Sequence, residues 1–221
     1  MSQSPTLMRE TSGFRPDINA LRAAAVLIVT LYHFGVPGFV GGFIGVDVFF
    51  VISGYLMTRI VFDAHDRGHF SVGAFYWARA KRIVPALLAL CVGLIVIGYV
   101  LLLPSDYRLL GKHGLSSLAF FSNLVYFGEA GYFDIASHEK WFLHTWSLSV
   151  EWQFYVAFPL LMVLVLRYVP RQRWLVLFIA STLASFLWNV YLTAYQPSAA
   201  FFMLPSRAWE MLAGGVVLLL S

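Results

Sequence analysis

Apolar residues run along this chain in blocks of about twenty, separated by short polar and basic stretches. The blocks at 21–37, 42–62, 84–103, 143–166, 174–195 and 208–221 predict helices. The first five approach the ~20 residues that cross a bilayer, and the sixth is shorter. A less apolar stretch at 113–128, "HGLSSLAFFSNLVYFG", predicts one re-entrant or interfacial helix. The expected fold is therefore all-α: a polytopic transmembrane helix bundle of about six spans. Residues 1–20 form a polar N-terminal segment without an apolar signal-peptide core, and 21–221 the membrane domain.

Composition agrees. Of 221 residues, 60% are hydrophobic and 12% charged. A soluble domain is nearer half apolar and a quarter charged. The lipid bilayer is thus the first expected partner. The net charge of +4 is concentrated in connecting loops, where it reads as topology and not as nucleic-acid binding. The single cysteine, Cys91, lies in an apolar run and reads as a buried structural thiol.

Arginine sets the expected orientation. Arg67, Arg79, Lys81 and Arg82 fall in the 63–83 loop, and Arg167, Arg171 and Arg173 in 167–173. Both loops should be cytoplasmic. The N-terminus is then cytoplasmic too, and 104–142 begins and ends outside a plasma (inner) membrane.

Ionisable residues within apolar blocks are costly and tend to face a cavity or a partner. "LRAAAVLIVTLYHFG" places Arg22 and His33 on one helical face, ~16 Å apart. With the expected orientation, His33, Asp47, His144 and Glu151 all fall in the outer halves of their spans. His144 and Glu151, two turns apart, share a face. The bland alternative is a set of satisfied structural pairs. "WARAKRI" puts Arg79 and Arg82 three residues apart, which suits a phosphorylated ligand or simply marks topology. Trp141, Trp146 and Trp152 are interfacial anchors or platforms for a sugar ring. Arg207 and Glu210 read as an intrahelical ion pair, and Gly41-x-x-x-Gly45 as a packing motif. No ligand spacing points to a metal.

The segments "FRPDINALRAAAVLIVTLYHF", "GGFIGVDVFFVISGYLM", "FYWARAKRIVPAL", "LHTWSLSVEWQFYVAFPLL" and "SRAWEMLAGG" resemble, in order and spacing, the acyltransferase-3 family of integral-membrane enzymes that O-acylate extracytoplasmic glycans. The resemblance implies a donor, acetyl-CoA or another acyl-CoA, that is a substrate and not a resident cofactor. It implies a glycan acceptor such as lipopolysaccharide or another polysaccharide. It maps the family's arginine–histidine pair to Arg22 and His33, with His33 as the catalytic group, and its second arginine pair to Arg79 and Arg82. Joined to the residue reading, it gives His33, Asp47 and Glu151 catalytic roles. Arg22, Arg79 and Arg82 would hold the donor, and His144, Trp146 and Trp152 the acceptor. Family members carry more spans, so the resemblance also implies truncation at the C-terminus and a missing C-terminal half or partner subunit. An inactive fragment or non-catalytic subunit is the alternative. A transporter fits less well, because no inverted repeat is seen.

Overall fold

The computed structural model describes residues 15–68, 70–130 and 140–221. Most of the 1–20 segment and residues 131–139 of the 104–142 loop lie outside the described residues. The chain divides into two compact units, one ending at Phe49 and the other Phe50–Ser221. Among the described residues the fold is all-α.

In the first unit, α1 (Pro16–His33) is followed by a turn and by the start of α2 (Ile44–Asp66). Pro16 opens α1, where its missing N–H costs nothing. Gly35 and Gly38, both at positive φ, turn the chain after His33. The start of α2 returns along α1: Gly42 packs on Ile28 and Tyr32, Gly45 on Ala25 and Val29, and Phe49 lies under the Arg22 guanidinium. The close approach uses Gly42 and Gly45. A methyl on Gly41 would meet nothing within 4 Å, so Gly41 is not part of the packing motif.

The second unit contains the rest of α2, then α3 (Val72–Leu101), α4 (Pro104–Leu118), α5 (Ser122–Glu129), α6 (Thr145–Tyr168), α7 (Trp174–Tyr195), α8 (Pro197–Phe202) and α9 (Leu204–Leu220). A single 3₁₀ turn, Arg171–Arg173, leads into α7. Four helical segments are long and apolar enough to cross a membrane: Ile44–Asp66, Val72–Leu101, Thr145–Tyr168 and Arg171–Tyr195. The protein is a multi-pass membrane protein with fewer clear spans than the six expected. The block at 21–37 yields α1, which is 18 residues long, starts in the polar "PDIN" and stops at His33. The last block yields α9, at 17 residues. The α3 and α7 helices turn most of their apolar side chains outward, as lipid-facing helices do.

The 113–128 stretch is two helices and not one. Phe120 has φ +58 and breaks the chain between α4 and α5. α4, with 15 residues, is ~22 Å long, short of the ~30 Å hydrocarbon core.

Glycine governs the packing of α2 on α9. A methyl on Gly54 would overlap the Met211 carbonyl, and one on Gly214 the Val51 carbonyl. Backbones in such contact gain dispersion energy that larger residues would forbid. Thr58, whose hydroxyl donates to Gly54 O at 2.8 Å, sits beside Gly215. At the other end of α9, the Ser185 hydroxyl donates to Pro205 O and accepts from Trp209 N, at 2.7 and 2.9 Å.

The 63–83 stretch, expected as a loop, is mostly helix: α2 runs to Asp66 and α3 begins at Val72, so Arg79, Lys81 and Arg82 stand in the first turns of α3. The short basic connections after α2 and after α6 lie at one end of this unit, where Arg171 is 3.5 Å from Asp66.

Gly54→Ala or Gly214→Ala should destabilise the detergent-solubilised protein by ~1–3 kcal/mol, the usual cost of overpacking. Gly93→Ala, whose methyl meets nothing within 4 Å, should leave thermal unfolding unchanged. Equal unfolding temperatures for all three variants would contradict the α2–α9 contact.

Candidate active site

The central helix α6 carries polar side chains on two opposed faces. Thr145, Ser149 and Gln153 recur every four residues on one face. Glu151 and Tyr155 do the same on the other, about half a turn away.

The first face is closed. Thr145 Oγ1 lies 2.7 Å from Ser117 Oγ and donates to Ser122 Oγ at 3.1 Å, and Ser122 Oγ lies 2.8 Å from Ser149 Oγ. Gln153 Nε2 donates to Asn123 Oδ1 at 2.8 Å and to Phe120 O at 3.0 Å. Asn123 in turn donates to Phe202 O at 2.9 Å. These buried groups satisfy one another, as buried polar groups must. They fasten α4, α5 and α8 to α6. The Phe120 ring also stacks on Trp152, centroids 4.3 Å apart, which holds the strained turn in place.

The second face is open. Glu151 Oε1 accepts hydrogen bonds from the Ser53 hydroxyl of α2 and from the Tyr155 hydroxyl, the latter at 2.5 Å. Among the described residues Oε2 has no hydrogen-bond partner, and it is not among the buried unpaired atoms. Ser53 and Tyr155 are buried, whereas Glu151 is half-buried. One oxygen is thus anchored within the protein while the other is reachable. Arg79 of α3 lies within electrostatic range of the Tyr155 hydroxyl, half-buried, with its guanidinium 5.9 Å from the Phe75 ring. The Tyr76 hydroxyl donates to Val156 O at 2.7 Å and pins α3 to α6 beside it.

The other expected site residues are distributed as follows. Arg82 is exposed, one turn beyond Arg79, so the two arginines have different surroundings. His144 is the exposed N-cap of α6, seven residues before Glu151. Trp152 is half-buried against Phe120. Trp146 is buried, its ring 4.4 Å from Phe201 and 6.3 Å from Phe50. Arg207 lies 5.7 Å over that same Trp146 ring and 3.0 Å from the fully buried Glu210. The ion pair expected within α9 is present. In the first unit, His33 ends α1 and packs edge-on to Tyr32 at 5.0 Å. Asp47 is in the first turn of α2, where a carboxylate complements the helix dipole. The register of this hairpin sets Asp47 level with Ala25, near Arg22 and ~12 Å of helix from the level of His33.

Sequence reasoning did not single out Ser53 or Tyr155. Tyr155 was within reach of it, being four residues after Glu151 and so on its face. It also missed a cluster around Glu129. Lys112 Nζ lies 2.6 Å from Glu129 Oε1, and His113 Nε2 and Lys140 Nζ lie 2.9 and 3.3 Å from Oε2. Burial pushes the His113 imidazole below its ordinary value, against the pull of Glu129. Burial works to raise the Glu129 carboxyl, but hydrogen bonds from Lys112 and then His113 outweigh it and hold it below the usual range. Near neutral pH the pair is therefore a neutral imidazole and a carboxylate, with the lysines supplying the positive charge.

An acyltransferase domain model matches residues 15–219. The chain belongs to the acyltransferase-3 family. A relative from Listeria monocytogenes, named peptidoglycan O-acetyltransferase OatA, is 32% identical over 211 residues, which are 93% of this chain and 34% of the relative. Another from Komagataeibacter xylinus, provisionally named membrane-bound transacylase BcsY, is 37% identical over 207 residues, 93% of this chain and 51% of the relative. This acyltransferase-3 chain thus spans about a third to a half of the length of these relatives. No solved structure matches it.

The Glu129 cluster makes stability depend on pH. His113 has a lowered folded value, so the unfolded chain takes up its proton first and stability falls as pH drops through the ordinary histidine range. Glu129, also lowered, adds stability above the ordinary carboxylate value that is lost in stronger acid. The unfolding temperature should decline from pH 7.5 to 5.5, and less so in His113→Gln, which can donate to Glu129 without titrating. Parallel curves for the two proteins would contradict this.

Proposed function

We propose that this chain carries out acyl transfer within the membrane, moving an acyl group, acetyl as the simplest case, from cytoplasmic acyl-CoA to a hydroxyl of an extracytoplasmic glycan. The observation that carries the reading is Glu151, a carboxylate within a membrane-spanning helix, gripped at one oxygen and open at the other. An ionisable group within a membrane-spanning helix is a functional-site candidate by default. The Listeria relative's name points to peptidoglycan as the acceptor class, while lipopolysaccharide and other polysaccharides share the same nucleophile, a sugar hydroxyl. The acceptor sits outside a plasma membrane, with the N-terminus and both basic connections in the cytoplasm. The shared end of those connections supports one common side.

The roles follow from the chemistry. CoA is phosphorylated and cannot enter hydrocarbon, so guanidinium groups hold it; Arg22, Arg79 and Arg82 are assigned to this task. The half-buried Arg79 suits the thioester end of the donor, and the exposed Arg82 its phosphates. The His33 imidazole takes the proton of the acceptor hydroxyl as general base, or accepts the acyl group and passes it on. In the first case the hydroxyl oxygen attacks the thioester carbonyl, the C–S bond breaks and CoA leaves as thiol after receiving a proton. Glu151 is the carboxylate assigned to hold charge in that step; Asp47, expected to share it, is set near Arg22 and ~12 Å of helix from the level of His33 and is not its direct partner. His144 and Trp152 are assigned to the acceptor. Trp146, its ring covered by Phe201 and Arg207, serves the same end by shaping the wall of the site.

His33→Ala should lower acyl transfer by ~10²–10⁴-fold, the usual worth of a general base, with unchanged amounts of protein in the membrane. His33→Gln should not restore it, because an amide cannot cycle a proton near neutral pH. Retention of more than about a tenth of the activity by His33→Gln would mean a deficit below ~1.4 kcal/mol and would remove His33 from the chemistry.

A further inference from the structure

We propose that Tyr155 is the positioning residue for Glu151, and that it leaves Oε2 as the one oxygen available to an O–H donor, a hydroxyl of the acceptor sugar. The inference rests on the acyl-transfer reading for the identity of the donor, but its geometric part stands on the helix itself.

Three observations carry it. First, both protein donors reach the same oxygen. The Ser53 and Tyr155 hydroxyls converge on Oε1, so the carboxylate is held by one end and its plane is fixed by donors from two helices. A carboxylate has about four acceptor sites, and those on Oε2 are unused among the described residues. Second, the opposed face of α6 shows what a purely structural polar face looks like in this protein. There Thr145, Ser149 and Gln153 find partners within α4 and α5 or at the α4–α5 turn, and the region is closed. The Glu151 face departs from that pattern only at Oε2. Third, Tyr155 is locked. It is buried, one helical turn from Glu151, with Tyr76 tying the adjacent Val156 carbonyl to α3. A tyrosine so confined directs its hydroxyl at one place, and a carboxylate held by it loses the rotamers that would turn Oε2 away from the opening.

A hydroxyl of the incoming sugar next to the attacking one donates to Oε2 and so orients the ring, while the attacking hydroxyl keeps its proton for His33; no bond to Glu151 forms or breaks. Tyr155 therefore acts through Glu151 and does not touch the reacting atoms.

The test is a double-mutant cycle with Tyr155→Phe and Glu151→Ala in the full chain, followed by labelled acetyl transfer from acetyl-CoA and by thermal unfolding in detergent. Tyr155→Phe should lower kcat about tenfold with KM for acetyl-CoA unchanged, and should have no effect on the residual turnover of Glu151→Ala. It should lower the unfolding temperature in the parent protein but not in Glu151→Ala, where the hydroxyl has lost its partner. A structural role for Tyr155 would give additive losses and a raised KM, and that result overturns the proposal. A parent protein that transfers nothing would sink the acyl-transfer reading. The Tyr155–Glu151 coupling is then read from unfolding alone, and additivity there overturns it.

Discussion

A carboxylate can occupy a membrane-spanning helix only if donors come to meet it, and in this protein Ser53 and Tyr155 do so for Glu151. Much of the second unit is arranged around that requirement. Ser53 reaches α6 from α2, so α2 must run close beside it. Tyr76 and Arg79 bring α3 to the same stretch of α6. The anchored oxygen is thereby tied to α2 and α6, with α3 pinned beside them, and the other oxygen is what the arrangement leaves for chemistry.

Small residues hold α2 in its place. Gly54 lies one residue after Ser53, and its backbone touches that of α9 at Met211, while Gly214 returns the contact at Val51. In a bilayer, where apolar burial no longer drives helix association, such backbone approach is a main source of packing energy. The opposite side of α6 is secured by hydroxyls and amides instead. The chain break at Phe120 makes this possible, because it lets α4 and α5 both present polar side chains to α6. Two kinds of adhesive, glycine contact and satisfied hydrogen bonds, thus fix the central helix from opposite sides.

The helical class and the long spans were legible in the sequence because each is a run of apolar residues of the required length. So was the Arg207–Glu210 pair, since three residues along a helix bring side chains together. The first block was over-read: hydropathy continues through "FGVPGFVG", but Gly35 and Gly38 turn the backbone there. The break in 113–128 was hidden, since nothing in the identity of a phenylalanine announces a positive φ. Pairings between distant positions were hidden as well. Ser53 and Glu151 are 98 residues apart, and only the packing of α2 on α6 joins them. Glu129, in a stretch without strong periodicity, draws Lys112 and His113 from α4 and Lys140 from ahead of α6.

The most direct measurement of the account is the acyl-ester content of surface glycans, read by mass spectrometry from cells that carry the gene, cells that lack it, and cells with Glu151→Gln expressed at the same membrane level. The account predicts ester-bound acyl groups in the first and their loss in the other two. Equal ester content in cells with and without the gene would contradict acyl transfer by this protein. Full content in Glu151→Gln would contradict the role given to its carboxylate.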